Sequence, residues 1–326
     1  MRSSETAVVD LMEVRSPRER KKKPGRSALR HRLEYAAFYL ALGALRLLPP
    51  GGAAGLGRAL ARAFFRLASA RRRILFKNLL AAFPEKSARE IASIARGCVA
   101  TLGAAFMDFL EVSNLPREEF LDRAPLTGVE NLEAARARGR GVFLLSAHFG
   151  GWEIGALRVG LLGEAIAVVV RPLDNPLLEA ELARRRTRFG NRVIAKREAT
   201  RGILRAMRAN ETVAILIDQN VLEREAIFVP FFGRLAATTS SLALLQLKTG
   251  AAVVPVFTWP IGGGRYETRL EPPIWPEEFE TAGTDRAERV RRATARYVEV
   301  NETAVRKKPS AWLWMHNRWR TRPPDA

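Results

Sequence analysis

Residues 142–153 read Val142-Phe143-Leu144-Leu145-Ser146-Ala147-His148-Phe149-Gly150-Gly151-Trp152-Glu153. The run Val142–Ser146 is short, apolar and rich in branched side chains, which predicts a buried strand. Gly150 and Gly151 permit a tight turn, and a helix is predicted over Glu153–Leu162. Ligands bind outside the carboxyl ends of strands in open α/β sheets, and His148 falls at such an end. Glu153, five residues on, falls in the first helical turn, from which it is expected to reach back to the imidazole.

Outward from this segment the alternation repeats. Ala165–Val170, Thr212–Ile217, Val253–Thr258 and Tyr266–Leu270 are predicted strands. Leu177–Phe189, Thr238–Thr249 and residues 285–307 are predicted helices. Upstream, residues 53–111 read as helices, with apolar side chains three and four apart, as in Leu60, Phe64 and Leu67. The expected fold class is therefore α/β, a mixed and mostly parallel sheet covered by helices, in one domain over residues 51–323.

A hydroxyl attacking an acyl carbonyl must lose its proton as the new bond forms. Neutral histidine, with an ordinary pKa of ~6.5, suits that role. A carboxylate on the other ring nitrogen fixes the tautomer and stabilises the imidazolium. With three histidines and 34 acidic residues in 326, a histidine followed five residues later by an acid arises by chance in roughly one such sequence in three. A core histidine beside an unrelated helix cap therefore reads the same residues equally well. No G-x-S-x-G elbow surrounds any serine, and no His-x-x-x-His or cysteine-rich ligand set is present, so no metal and no cofactor are expected. The single cysteine, Cys98, excludes an internal disulfide.

Lys and Arg outnumber Asp and Glu by 54 to 34, a formal charge of +20. Such an excess attracts an anionic partner, whether nucleic acid, anionic lipid or an acidic carrier protein. No zinc-finger spacing or RNA-binding aromatic motif favours nucleic acid, and none is expected. Residues 1–32, with Arg18-Glu19-Arg20-Lys21-Lys22-Lys23, read as a basic disordered tail. The uncharged run 35–45, closed by Pro49-Pro50 and flanked by arginines, reads as a membrane anchor over 33–50, a short tilted span or an interfacial helix. Arg184, Arg185, Arg186, Arg188, Arg192, Lys196, Arg197 and Arg201, with one acid, Glu198, form a basic stripe expected to dock an acidic carrier protein, to face anionic lipid, or simply to face solvent.

Ala147–Glu153 resembles the H-x4-D/E block of the glycerolipid and lysophospholipid acyltransferase superfamily. More specifically, the chain is similar to the late acyltransferases of lipid A biosynthesis. Arg171-Pro172-Leu173-Asp174-Asn175-Pro176 resembles that family's R-P-x-D-N-P block, and Ile217-Asp218-Gln219 its strand-end Asp block. Phe228–Gly233 with Ala237-Thr238-Thr239 resembles its V-P-F-F-G and A-T-T elements. Trp312–Pro323 resembles its closing L-W-x-H-R-R-F-K-T-R-P, with Asn317 in place of the usual arginine. The likeness runs from about residue 33 to 323. It implies His148 as general base with Glu153 as its partner, and Arg171, Asn175, Asp218, Gln219 and Arg318 as substrate-binding residues. His316, among aromatics, reads as structural, and Asn175 also suits a helix cap before Pro176.

The resemblance further implies an O-acyltransferase on the cytoplasmic side of a bacterial inner membrane. The donor would be an acyl thioester on acyl carrier protein or coenzyme A, and the acceptor a hydroxyl of a lipid A precursor. Transfer to another glycolipid or a lysophospholipid, and an inactive protein of anionic membranes, are the alternatives.

Overall fold

The computed structural model describes residues 28–45, 47, 52–163, 166–170, 172–195, 199–281 and 283–324. Its strands are β1 (Leu126–Thr127), β2 (Val142–Ser146), β3 (Ile166–Val170), β4 (Arg192–Ala195), β5 (Thr212–Leu216), β6 (Ala226–Phe231), β7 (Arg234–Thr239), β8 (Ala252–Gly262) and β9 (Arg265–Leu270). Seven of them form one sheet in the order β1-β9-β8-β2-β5-β3-β4, and β6 and β7 form a separate hairpin. All neighbours in the large sheet run parallel except β8 and β9, so the expected mixed, mostly parallel sheet is what the chain forms. Val142, Phe143, Leu144 and Leu145 are at most 2 % exposed. A strand in mid-sheet with helices on both faces has no solvent side, hence its unbroken apolar run.

The helices are α1 (Ala28–Leu45), α2 (Gly52–Leu67), α3 (Ser69–Ala82), α4 (Ala88–Val112), α5 (Arg117–Arg123), α6 (Val129–Arg136), α7 (Trp152–Gly160), α8 (Pro176–Arg186), α9 (Ala199–Arg208), α10 (Ser241–Thr249) and α11 (Arg286–Lys307). Among the described residues, α4 is the one helix long and apolar enough to cross a membrane. It instead contributes Ile91, Ala95, Cys98, Val99 and Phe109 to the interior, and a capping box at Ser87 and Glu90 starts it. Helix α1 covers most of the expected anchor but begins at Ala28, inside the stretch read as a tail; residues 1–27, 46 and 48–51 lie outside the described residues. It is pinned to α8 by Tyr39, whose hydroxyl donates to Glu181 Oε2 at 2.8 Å. Residues 238–239, predicted as helix, instead end β7, where Thr238 and Thr239 pair with Ile227 and Ala226.

Strand register also sets which loops meet beyond the sheet. Ser146 at the end of β2 lies opposite Leu216 at the end of β5. His148 and Asp218, each two residues beyond its strand, therefore leave the same edge of the sheet side by side.

Candidate active site

The turn after β2 is clamped from two directions. Gly151 N–H donates to Thr258 O on β8, while Gly150 N–H donates to Ala311 O and Leu313 N–H to His148 O from the C-terminal segment. Gly150 has φ +55°, and a Cβ there would lie 2.0 Å from Thr258 O. A Cβ on Gly151 would lie 2.6 Å from the Tyr266 ring. Both glycines are thus demanded by how closely the turn lies on β8 and β9.

At the tip, His148 Nδ1 is 2.9 Å from Asp218 Oδ1. The backbone N–H of His148 donates to Asp218 Oδ2 at 2.9 Å, and the indole N–H of Trp312 donates to the same oxygen at 2.8 Å. The carboxylate is 4 % exposed and the imidazole 24 %. Burial alone would raise the Asp218 pKa, but the His148 charge and the donors around the carboxylate outweigh it and lower it to about 2. For His148 burial works against the proton, yet Asp218, and more weakly Glu153, hold its pKa above the ordinary 6.5. An ionised Asp218 fixes the proton on Nδ1 and leaves a lone pair on Nε2. The Gln219 amide nitrogen lies 3.2 Å from Nε2, as a donor to that lone pair.

The acid on the imidazole is therefore Asp218, seventy residues away in sequence, and not Glu153. The Glu153 carboxylate is taken instead by Arg186, with Nη2 to Oε1 at 2.6 Å and Nε to Oε2 at 3.0 Å. This bidentate pair joins the start of α7 to the end of α8. Asp218, expected among the substrate contacts, lies against Nδ1 of His148, and the Gln219 amide, expected there too, lies beside Nε2.

Two other expected contacts have structural work. The Asn175 side-chain oxygen accepts from the Leu177 and Leu178 N–H groups, capping α8, and its Nδ2 donates to His31 O and Glu34 Oε2 on α1. The Arg318 guanidinium, 1 % exposed, donates to Ala237 O and Thr238 Oγ1 on β7; burial lowers its pKa to about 10. Arg171 lies outside the described residues. His316 is structural, accepting from the Asn220 N–H at 2.8 Å, with burial the first cause of its lowered pKa.

Sequence reasoning gives no role to Trp312, because no local signal links it to residue 218. It assigns Arg186 to a basic stripe, several of whose arginines are engaged within the chain while Arg184, Arg188 and Arg201 remain exposed. Arg185 is buried against Glu181, Leu110 O and Ser113 Oγ. Arg188 donates to Ser113 O and Leu115 O, and Arg192 pairs with Glu211. Lys196, Arg197 and Glu198 lie outside the described residues.

The family model described as "Bacterial lipid A biosynthesis acyltransferase" matches residues 21–321. Among similar proteins, the lipid A biosynthesis lauroyltransferase of Escherichia coli K12 is 29 % identical over 272 residues, 82 % of this chain and 85 % of that protein. The palmitoleoyltransferase of the same organism is 30 % identical over 81 % and 83 %, and its myristoyltransferase 27 % over 87 % and 86 %.

Proposed function

Since the chain belongs to the bacterial lipid A biosynthesis acyltransferase family, we propose that it moves a fatty acyl group from a thioester, on acyl carrier protein or coenzyme A, to a hydroxyl of a lipid A precursor, with His148 as general base. The observation that carries the chemistry is the Asp218–His148 pair, with Nδ1 held at 2.9 Å and Nε2 facing Gln219. The acceptor hydroxyl takes the place of the Gln219 amide and gives its proton to Nε2 as its oxygen attacks the thioester carbonyl. The tetrahedral intermediate collapses with loss of thiolate, which receives the proton back from the imidazolium. Asp218 stays ionised throughout and stabilises the imidazolium. Glu153, beside the ring, adds a second negative charge and holds Arg186; Arg171 binds a phosphate of the acceptor.

In this reading the enzyme works at the cytoplasmic face of the inner membrane, with α1 as its anchor. The test is acyl transfer by purified enzyme, with products identified by mass spectrometry. His148→Ala is expected to lose at least 100-fold in kcat/KM, within the range general base catalysis supplies, with an unchanged melting curve. Activity within about tenfold of the parent would exclude His148 as the base.

A further inference from the structure

Helix α2 is built inside out. The residues it buries are small: Ala53, Ala54 and Gly57. A Cβ on Gly57 would lie 2.3 Å from Gly103 O on α4, and a Cβ on Gly103 would lie 2.4 Å from Gly57 O. The two backbones are thus in contact, and α2 is fixed rigidly to the body of the molecule. Of its large apolar side chains, Phe65 packs against the core, but four others are left exposed. Leu56, Leu60, Phe64 and Leu67 are 39, 52, 60 and 85 % exposed. Spacings of four, four and three put them on one stripe, with exposed Ala59 and Ala63 beside it. Phe106 of α4, one turn beyond Gly103, is 50 % exposed as well. A soluble surface rarely carries so continuous an apolar strip.

The charge around the strip selects its partner. Arg62 and Arg66, both exposed, border it on the flank away from Phe64. Between Glu34 and Glu85 the chain carries eight basic residues and no acidic one. The exposed side chains Arg71, Arg72 and Arg73 come next, at the start of α3. An apolar stripe bordered by arginines, without a countercharge, matches the boundary between acyl chains and anionic headgroups. An acidic protein would answer the arginines but not the leucines.

We propose that α2 lies flat in the headgroup layer of an anionic bilayer, with Leu56, Leu60, Phe64 and Leu67 in the acyl region and Arg62 and Arg66 on lipid phosphates. The surface is separate from α1 and does not rest on the chemistry at His148. Because Gly57 and Gly103 lock α2 to α4, this contact fixes the attitude of the whole domain on the membrane.

The experiment uses the full-length protein. The one native cysteine, Cys98, is fully buried, so single cysteines at 60, 62, 64, 66 and 67 can be spin-labelled selectively. Labelled protein is bound to vesicles of phosphatidylethanolamine with phosphatidylglycerol, and collision with oxygen is compared with collision with a water-soluble nickel chelate. Labels at 60, 64 and 67 are expected to show an oxygen-to-nickel ratio roughly tenfold above those at 62 and 66. Equal ratios at all five sites on vesicle-bound protein overturn the proposal. So does shielding of the stripe from both reagents, which marks contact with protein, either a second copy or an acidic carrier. In parallel, Arg62→Gln with Arg66→Gln should weaken partitioning into these vesicles about fivefold per arginine and leave weak binding to phosphatidylcholine unchanged. An unaltered partition into the anionic vesicles counts against the arginine contacts and overturns that half of the assignment. Matched melting curves keep a folding defect from imitating either result.

Discussion

At the scale of single residues, the Asp218 carboxylate decides what His148 can do. Three donors fill it: the imidazole, the His148 backbone N–H and the Trp312 indole. Asp218 also raises the His148 pKa, against burial. With His148 as the proposed base, catalysis needs the neutral ring, so kcat/KM should rise with pH through a limb above the ordinary 6.5. In Asp218→Asn the raising charge is gone and burial remains, so the limb should move to lower pH while the plateau falls at least 100-fold. A rate profile from pH 5 to 9 separates the two effects; an unmoved limb would show that Asp218 does not act on the ring. Glu153→Gln should behave differently. It weakens a half-buried charge pair with Arg186, so a loss of ~2 kcal/mol in stability accompanies a smaller rate defect, read by thermal melting beside the kinetics. The position of His148 is legible from the strand, the glycines and the helix that enclose it. Its partner is not, because a five-residue spacing looks local, whereas the contact with residue 218 depends on the register of two parallel strands.

At the scale of elements, the strongly apolar pieces are legible and the weak ones are not. β2 is found where its apolar run predicts it, because burial on both faces leaves one composition. β4 is four residues long and begins with an arginine, so its pattern carries almost no period. β6 contains Pro230, tolerated in a two-stranded hairpin off the main sheet. The basic run ending α8 shows how charge patterning misleads: Arg185 and Glu181 are both buried, and Arg186 joins α8 to α7 through Glu153, whereas Arg184 stays exposed. Asn175 is a second joint between α1 and α8, beside the Tyr39–Glu181 bond. Asn175→Ala removes the cap and the bonds to His31 O and Glu34, and should lower stability by ~1–2 kcal/mol with kcat little changed. Denaturant unfolding together with steady-state kinetics tests this; a fall in kcat at full stability would restore Asn175 to the substrate site.

At the scale of the whole molecule, the +20 charge is distributed unequally in what it can do. Of the α8 arginines, Arg185 is buried and Arg186 is held by Glu153, while those from 58 to 73 surround a helix with an exposed apolar stripe. Membrane attachment therefore has two expected parts, α1 and α2. Deleting residues 1–50 should move much of the protein to the soluble fraction, with a salt-sensitive remainder held by α2. Fractionation of cell membranes at low and high salt measures both; full retention at high salt would place the anchor elsewhere.

The Trp312 clamp also has a meaning in time. Residue 312 is synthesised 164 residues after His148, ~10–30 s at ordinary elongation rates. By the end of that interval α1, α2 and every strand of the sheet have been made. The oxygen of Asp218 that Trp312 holds, and the turn that Ala311 and Leu313 hold, wait for those three residues. A chain that has grown only to residue 310 thus holds the histidine and the carboxylate without the indole and backbone groups that fix them.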